Sequence, residues 1–327
     1  MNLFLAESPL QIISCYELAA QLFKGQKNVL VVKYSGESKK ETHDYQIRRT
    51  VEALDWDEVI EISFKHRLQQ LSWLKKRKHI SEITKKYQNK VNNLCMGEFR
   101  SAWMHDIKER ISPLNLYLSD DGAAIITVKK QYIDKGIHHV SKKKENIEHD
   151  NYSRPIIFTS FLNDSKKERI IHNDYRILRS KNDTKQVDDE LVLYFGSKYS
   201  EGGIMSLENE LSLIEKVNSY YSKKNKKLIY IPHRGDSEKK LSLIEGTLGV
   251  ETNSLGLPAE LYILTLNKMP WGIAGAYTSA LISLKSIADF NSICSFKIPN
   301  EHLNPKHVDT INNVYEEYYK SGIEVID

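Results

Sequence analysis

The sequence predicts an α/β protein built from two doubly wound, parallel-sheet domains. Three observations carry this. The chain has 327 residues, too many for one ordinary hydrophobic core and comfortable for two. Strand-like apolar runs and helix-like periodicities alternate from the first residues onward, the pattern of parallel strands joined by crossover helices. A polar stretch over 141–190, rich in Lys, Asn, Asp and Ser and containing Pro155, separates two such series. It puts the domain boundary near residues 180–189, which gives domains 1–185 and 186–327.

In the first domain, residues 2–6 form an apolar first strand. A Ser8-Pro9 loop leads into a helical pattern through Ile12, Ile13, Tyr16, Leu18 and Ala19. Asn28 to Lys33 is a buried strand, Tyr45 to Leu54 a helix and Glu58 to Ile62 a third strand. The Lys- and Gln-rich segment from Arg67 to Lys90 is a helix or a helical pair, and Val91 to Met96 is a strand broken by Gly97. A helix through Met104, Ile107 and Ile111 follows, then the strand Leu114 to Leu118, which ends in Ser119-Asp120-Asp121-Gly122. The apolar segment Ile156 to Phe161 interrupts the polar break. The second domain opens with the strand Leu191 to Phe195 and Gly196, continues through a helix from Ser206 to Tyr220, and has a strand Lys227 to Ile231 that ends in Pro232-His233-Arg234-Gly235. Further units fall around 248–255, 258–267 and 271–274, and a helix over Val308 to Lys320 closes the chain.

Composition narrows the class. Apolar residues make up 40% and charged residues 28%, which fits a globular chain and excludes a disordered or fibrous one. No apolar run approaches the ~18–20 residues that cross a bilayer. The N-terminus lacks a basic n-region and meets Glu7 at once, so it is read as a strand and not as a secretion signal. Cys15, Cys95 and Cys294 are odd in number and far apart, which suits core thiols in a reducing compartment. The formal charge is only +4, yet lysines cluster at Lys75-Lys76-Arg77-Lys78, Lys142-Lys143-Lys144, Lys223-Lys224 and Lys226-Lys227. These runs suit solvated faces, or attraction to an anionic bilayer or polymer. Aromatics do not interleave with them, so no nucleic-acid partner is expected.

Ligands of open α/β sheets bind beyond the carboxyl ends of the strands, and five polar strand ends qualify. Asp120-Asp121-Gly122 can aim a carboxylate at a hydroxyl as general base, with Gly122 allowing the tight path; an ordinary Asp-Gly turn is the alternative. Pro232-His233-Arg234-Gly235 suits a phosphate, or the histidine is structural. Thr278 and Ser279 follow the Gly272 and Gly275 turn at a helix start, where hydroxyls and free N–H groups bind an anion or simply cap the helix. Glu260 caps its own helix or accepts the ribose hydroxyls of a nucleotide. Ser8 and Gln11, in Glu7-Ser8-Pro9-Leu10-Gln11, could line a cleft between the domains, as could Gly196 and Ser197 at the opening of domain two. The remaining histidines show no metal-ligand spacing, and His138-His139 beside lysines is assigned to the surface. Walker A, GxGxxG and GxSxG motifs are absent, and Asp120-Asp121 is not a DxD metal motif, so no obligatory metal is expected.

In this order, Asp120-Asp121-Gly122, then His233, then Thr278-Ser279, the chain resembles the bacterial polysialyltransferase and lipooligosaccharide-sialyltransferase families. Ser8-Pro9-Leu10-Gln11 after the first strand is also similar, and the likeness spans most of the chain. One position departs from the pattern: Arg234 follows the histidine where those families have proline, and Pro232 precedes it. The resemblance implies a GT-B fold, two Rossmann-like domains facing a cleft, and an inverting transfer of a nonulosonic acid from a CMP-activated donor. It implies Asp120 as base in preference to Asp121, and His233 on the CMP phosphate. Gly122, Gly196, Ser197, Pro232, Arg234, Glu260, Thr278 and Ser279 stand on the donor side, and Ser8 and Gln11 on the acceptor side. The implied partners are a nucleotide-sugar donor and a glycan acceptor, anionic or lipid-linked, in capsule or lipooligosaccharide synthesis. The implied location is the cytoplasm, with peripheral association at the inner membrane. A GT-B enzyme using a UDP- or GDP-sugar, or a non-catalytic nucleotide- or polymer-binding protein of this fold, are the competing readings.

Overall fold

The structure, a computed structural model, describes residues 1–36, 43–65, 69–140, 154–162, 169–182, 185–254 and 256–327. The run Lys142-Lys143-Lys144 and the histidines His66 and His149 lie outside the described residues. The chain divides into two compact units, Met1–Ile177 and Leu178–Asp327.

In unit one the elements run β1 (Asn2–Ala6), α1 (Pro9–Leu22), β2 (Asn28–Tyr34), α2 (His43–Glu52), β3 (Glu58–Ser63), α3 (Gln69–Tyr87), β4 (Asn93–Met96), α4 (Ala102–Ile111), β5 (Asn115–Ser119), α5 (Ala124–Gln131), β6 (Ile156–Thr159), β7 (Ile170–His172) and the start of α6 (Arg176–Ser180). The sheet order is β3-β2-β1-β4-β5-β6-β7, and every neighbouring pair is parallel. All five residues of β1 are buried, as are Val29 to Val32 of β2. Helices therefore cover both faces, as unbroken apolar runs require. Ser8 starts α1 by accepting the Gln11 amide at 3.3 Å, and Pro9 occupies the first turn, where a missing N–H is no loss.

Unit two continues with β8 (Gln186–Phe195), α7 (Leu207–Ser222), β9 (Lys227–Ile231), α8 (Glu238–Gly246), β10 (Glu251–Thr252), α9 (Ala259–Thr265), β11 (Lys268–Gly275), α10 (Ala280–Ile287), β12 (Ser292–Phe296), α11 (Val308–Lys320) and β13 (Glu324–Ile326). Its order, β10-β9-β8-β11-β12-β13, is again all parallel. The chain reverses direction of winding at β1/β4 in unit one and at β8/β11 in unit two. These are the topological switch points, where ligands of such sheets bind.

Two expectations are corrected. Ile156–Phe161 does not merely interrupt a linker. Its first four residues are β6, registered on β5 with Tyr117 opposite Ile156, because a β-branched apolar pair finds cover beside a buried strand. His139 is not at the surface: it is 5% exposed, with its ring edge-on to buried His105 at 4.8 Å between centroids. Burial holds His139 below the usual histidine range, with Lys108 adding to the shift and Glu109, 3.3 Å from its Nδ1, opposing it. All three cysteines are buried. No helix among the described residues is long and apolar enough to cross a membrane.

Candidate active site

In unit one the residues singled out after β1 and β5 meet at the carboxyl edge of the sheet. Asp120 and Asp121 follow β5 directly but face opposite ways, as consecutive residues of extended chain do. Asp120 turns inward and is fully buried. Its Oδ1 accepts the Thr159 hydroxyl, and its Oδ2 accepts the Ser160 amide at 2.7 Å and hydroxyl at 3.1 Å. Its own amide donates to Ser14 Oγ at 3.2 Å. Burial raises its carboxyl to about 6, against the lowering effect of Thr159, Ser160 and Asn173.

Asp121 turns outward and is 28% exposed. Gln11 Nε2 donates to its Oδ1 at 2.9 Å and Ser8 Oγ reaches the same oxygen at 3.4 Å. Gly122 makes this reversal possible with a φ of 63°, a conformation that favours glycine. Two residues that sequence reasoning passed over complete the cluster. Glu98, just after β4, binds Arg100 through both its oxygens, with Arg100 Nε at 2.8 Å and Nη2 at 2.6 Å, and Arg100 stands 3.8 Å from Asp121. Burial, then the hydrogen bond and charge of Glu98, push Asp121 up to about 7, while Gln11 and Arg100 oppose the shift. Glu98 itself, against the cost of burial, is held low by Arg100. The two neighbouring acids are therefore driven in opposite directions, Glu98 down and Asp121 up. The signal in the sequence was the β4 strand breaking at Gly97 and running into an acid. Gly97 must be a glycine, since a Cβ there would lie 2.8 Å from Gln11 Cβ and 2.9 Å from the Leu5 carbonyl.

In unit two, loops after β9, β8 and β11 lie side by side on the carboxyl edge, because these strands are neighbours in that order. His233 Nδ1 accepts the Gly235 amide at 3.0 Å, which leaves the proton of the neutral ring on Nε2. Burial, then the charges of Arg234, Lys198 and Lys240, lower His233 to about 4. At neutral pH it is a hydrogen-bond donor, not an acid. Exposed Lys198 and Arg234 beside it give the loop a local positive charge. Lys198 is a further residue that sequence reasoning missed. Beneath the loop, Asp236 Oδ2 accepts the Tyr230 hydroxyl at 2.8 Å and the His233 amide at 3.0 Å.

Gly196, at the end of β8, gives the Tyr230 ring its place: a Cβ there would lie 2.2 Å from the Tyr230 hydroxyl. Gly196→Ala should therefore cost about 1–3 kcal/mol in urea unfolding through overpacking, and an unchanged midpoint would contradict this contact. After β11 the Tyr277-Thr278 backbone is clamped from both sides. Tyr199 Oη accepts the Tyr277 amide at 2.8 Å and donates to its carbonyl at 2.9 Å. Tyr318 does the same for Thr278, at 3.0 and 2.5 Å. Ser279 precedes α10 without using its side chain as a cap. The hydroxyls of Thr278 and Ser279 therefore stand at a helix N-terminus within a fixed loop. Glu260 is not turned toward open space. It is 5% exposed, accepts the Ser283 hydroxyl at 2.6 Å and ties α9 to α10. Pro232 and Ser197 are half-buried in the same loops. Among the described residues no group of three or more His, Cys, Asp or Glu could hold a metal ion.

Residues 2–297 match a family model described as alpha-2,8-polysialyltransferase. No curated protein sequence matches the chain. Among solved structures, the chain is similar to a sialyltransferase from Photobacterium damsela at 10% identity and a TM-score of 0.52, over 99% of this chain and 80% of that one. It is also similar to a UDP-GlcNAc 2-epimerase from Methanocaldococcus jannaschii, solved with UDP-GlcNAc and UDP. The identity is 10% and the TM-score 0.55, over 100% of this chain and 88% of that one. At such identities the likeness is one of fold, and the fold is of the GT-B type, two Rossmann-like parallel-sheet domains.

Proposed function

The chain belongs to the alpha-2,8-polysialyltransferase family and is a glycosyltransferase with a CMP-sialic acid donor and a glycan acceptor, and we propose that Asp121 is the base that activates the acceptor hydroxyl. The observation that carries this is the contrast between the two aspartates: Asp120 is enclosed by four hydrogen bonds, whereas Asp121 reaches the surface with a carboxyl raised to about 7. A base poised near the working pH takes a proton most effectively.

The transfer is a single inverting displacement. The acceptor oxygen gives its proton to Asp121 and bonds to the anomeric carbon of the sialic acid. The bond from that carbon to the phosphate oxygen breaks, and CMP leaves with the electron pair. His233 donates through Nε2 to the departing phosphate, while Lys198, Arg234 and the start of α10 with Thr278 and Ser279 offset its charge. Gly196 and Ser197 bring the backbone of the β8 loop close to the donor, and Pro232 fixes the loop before His233. Glu260 acts by holding α10 and not on the ribose, given its bond to Ser283. No metal is called for, since cationic side chains and a helix terminus already face the phosphate. We place the reaction in the cytoplasm, on an anionic or lipid-linked glycan of a surface polysaccharide.

Thermal stabilisation by CMP, UDP and GDP at equal concentration tests the donor. A ligand bound only by the folded state adds ~2.7 kcal/mol at a hundredfold excess over its dissociation constant. CMP should raise Tm, and His233→Ala should abolish most of that shift. A shift with UDP or GDP in place of CMP would overturn the donor assignment.

A further inference from the structure

We propose that unit one has a second ligand site, a cavity at the amino edge of its sheet that binds a neutral saccharide unit. The cavity encloses about 650 Å³, within the ~300–1,000 Å³ range of small-molecule sites. Its walls are the second half of α1, the turn into β2 and the turn into β3. Asp121 follows the carboxyl end of β5, so the length of the parallel sheet separates the two places. Tyr16 and Trp56 line the cavity and are half-buried. The two rings meet edge-on at 5.8 Å between centroids, and Trp56 also packs on buried Phe4 at 5.3 Å. They are therefore in place before any ligand arrives, which lowers the cost of binding. The Trp56 Nε1–H is buried with no acceptor among the described residues, an uncommon state for a buried donor.

The polar groups at the rim decide the ligand. Asp55 and Asp57 flank the indole in sequence, and both are exposed. Asp57 Oδ2 accepts the Asn28 amide at 2.7 Å, which fixes that carboxylate and leaves Oδ1. Gln26 Oε1 accepts from Asn2 Nδ2 at 3.2 Å, which leaves the Gln26 Nε2 donors. Lys24 is exposed beside them, and Lys27 is engaged by Glu58 at 2.9 Å. Two lysines and two aspartates line the cavity, so their charges cancel. That balance selects against a phosphate or a sialic acid, and equally against a cation. A neutral pyranose answers the whole set. Its C–H face lies on an aromatic ring, and its hydroxyls donate to carboxylate oxygens and accept from amide, ammonium and indole N–H groups. A glycosyltransferase has a use for such a site. It holds the neutral part of an acceptor glycan while the growing end reaches Asp121, and so raises the local concentration of that end. This tethering rests on the reading of Asp121 as the base on the acceptor side, whereas the sugar binding does not.

Titration of the full chain with two neutral sugars, lactose and N,N′-diacetylchitobiose, followed by calorimetry and by indole fluorescence, tests this. At least one of them should bind and change the fluorescence. Trp56→Phe keeps a ring against Phe4 and should remove the fluorescence change. Asp55→Ala should weaken binding about tenfold or more, the loss expected for hydrogen bonds to a charged group. Asp55 is exposed and lies outside both catalytic clusters, so this variant should keep the wild-type Tm and the wild-type stabilisation by CMP. Failure of the cavity assignment and failure of the donor assignment are thereby told apart. An α2,8-linked sialic acid trimer should leave the bound neutral sugar in place. Absence of binding by both neutral sugars, wild-type binding by Asp55→Ala, an unchanged fluorescence response in Trp56→Phe, or displacement of the neutral sugar by the trimer would each overturn the proposal.

Discussion

Asp121→Asn should lower kcat by about a hundredfold to ten-thousandfold, the range that a general base supplies, with CMP binding unchanged. Asparagine is isosteric and can still accept from Gln11 Nε2, so the loop after β5 should keep its form. Only the proton acceptor is lost. Asp120→Asn should stay within about tenfold of wild-type activity, because the residue it replaces has no exposed surface. If Asp120→Asn were dead and Asp121→Asn active, the assignment would be reversed. The pH dependence adds a second reading of the same site. The base works only when ionised, so activity should rise with pH through about 7. Glu98→Gln removes a neighbouring negative charge, which lowers the Asp121 value and moves that limb to lower pH.

Stability should run the other way. The Asp121 carboxyl goes from 3.8 to about 7 on folding. Between those values the folded protein holds a proton that the unfolded chain has released. The stabilising contribution is therefore complete below about pH 4 and is lost as pH rises through 7. Asp121→Asn never carries that charge. Above pH 7 the variant should be at least as stable as wild type by urea unfolding, although it is inactive. A misfolded variant would fail on both counts, so the two outcomes are distinguishable.

Much of this site was legible in the sequence, and the reason is topological. In a parallel sheet every strand delivers its carboxyl end to one edge, so the residues after Ser119, Ile231, Phe195 and Gly275 had to lie along the carboxyl edges of the two sheets. What sequence could not decide was which aspartate faces in. That is set by Thr159 and Ser160, 39 and 40 residues further on. They come from the last residue of β6 and the one after it, in a segment that looked like an interruption of a linker. Glu98 carried the same signal as Asp121, an acid just past a strand, but the two meet only because β4 and β5 are sheet neighbours. Likewise β10, with two residues, is too short to give a periodicity and exists by pairing with Ile229 and Tyr230.

Lys240→Met should be the most destabilising single substitution in unit two. Its ammonium is fully buried and donates to Asp236 at 2.8 Å, Glu210 at 2.7 Å, Glu201 at 3.1 Å and the Ser197 carbonyl at 3.1 Å. One cation answers three carboxylates, and burial already raises Glu210 and Asp236 above the usual carboxylate range. Methionine fills the volume and leaves the carboxylates facing one another. Breaking a buried pair in this way costs about 3–5 kcal/mol, against a total of roughly 5–15 for a typical domain. The sign with pH identifies the cause. Without the ammonium, Asp236 and Glu210 titrate higher still in the folded state than in the unfolded chain, whose carboxyls titrate near ~4. The deficit should be small below about pH 4 and grow as pH rises through the folded values. Urea unfolding across that range should show the variant recovering in acid, and Glu210→Gln in the same chain should recover part of the loss at neutral pH. A cost below about 1 kcal/mol that does not change with pH would mean that the cluster is hydrated and only weakly coupled. Since Asp236 also holds the His233 amide, the same variant should lose CMP stabilisation at temperatures where it remains folded.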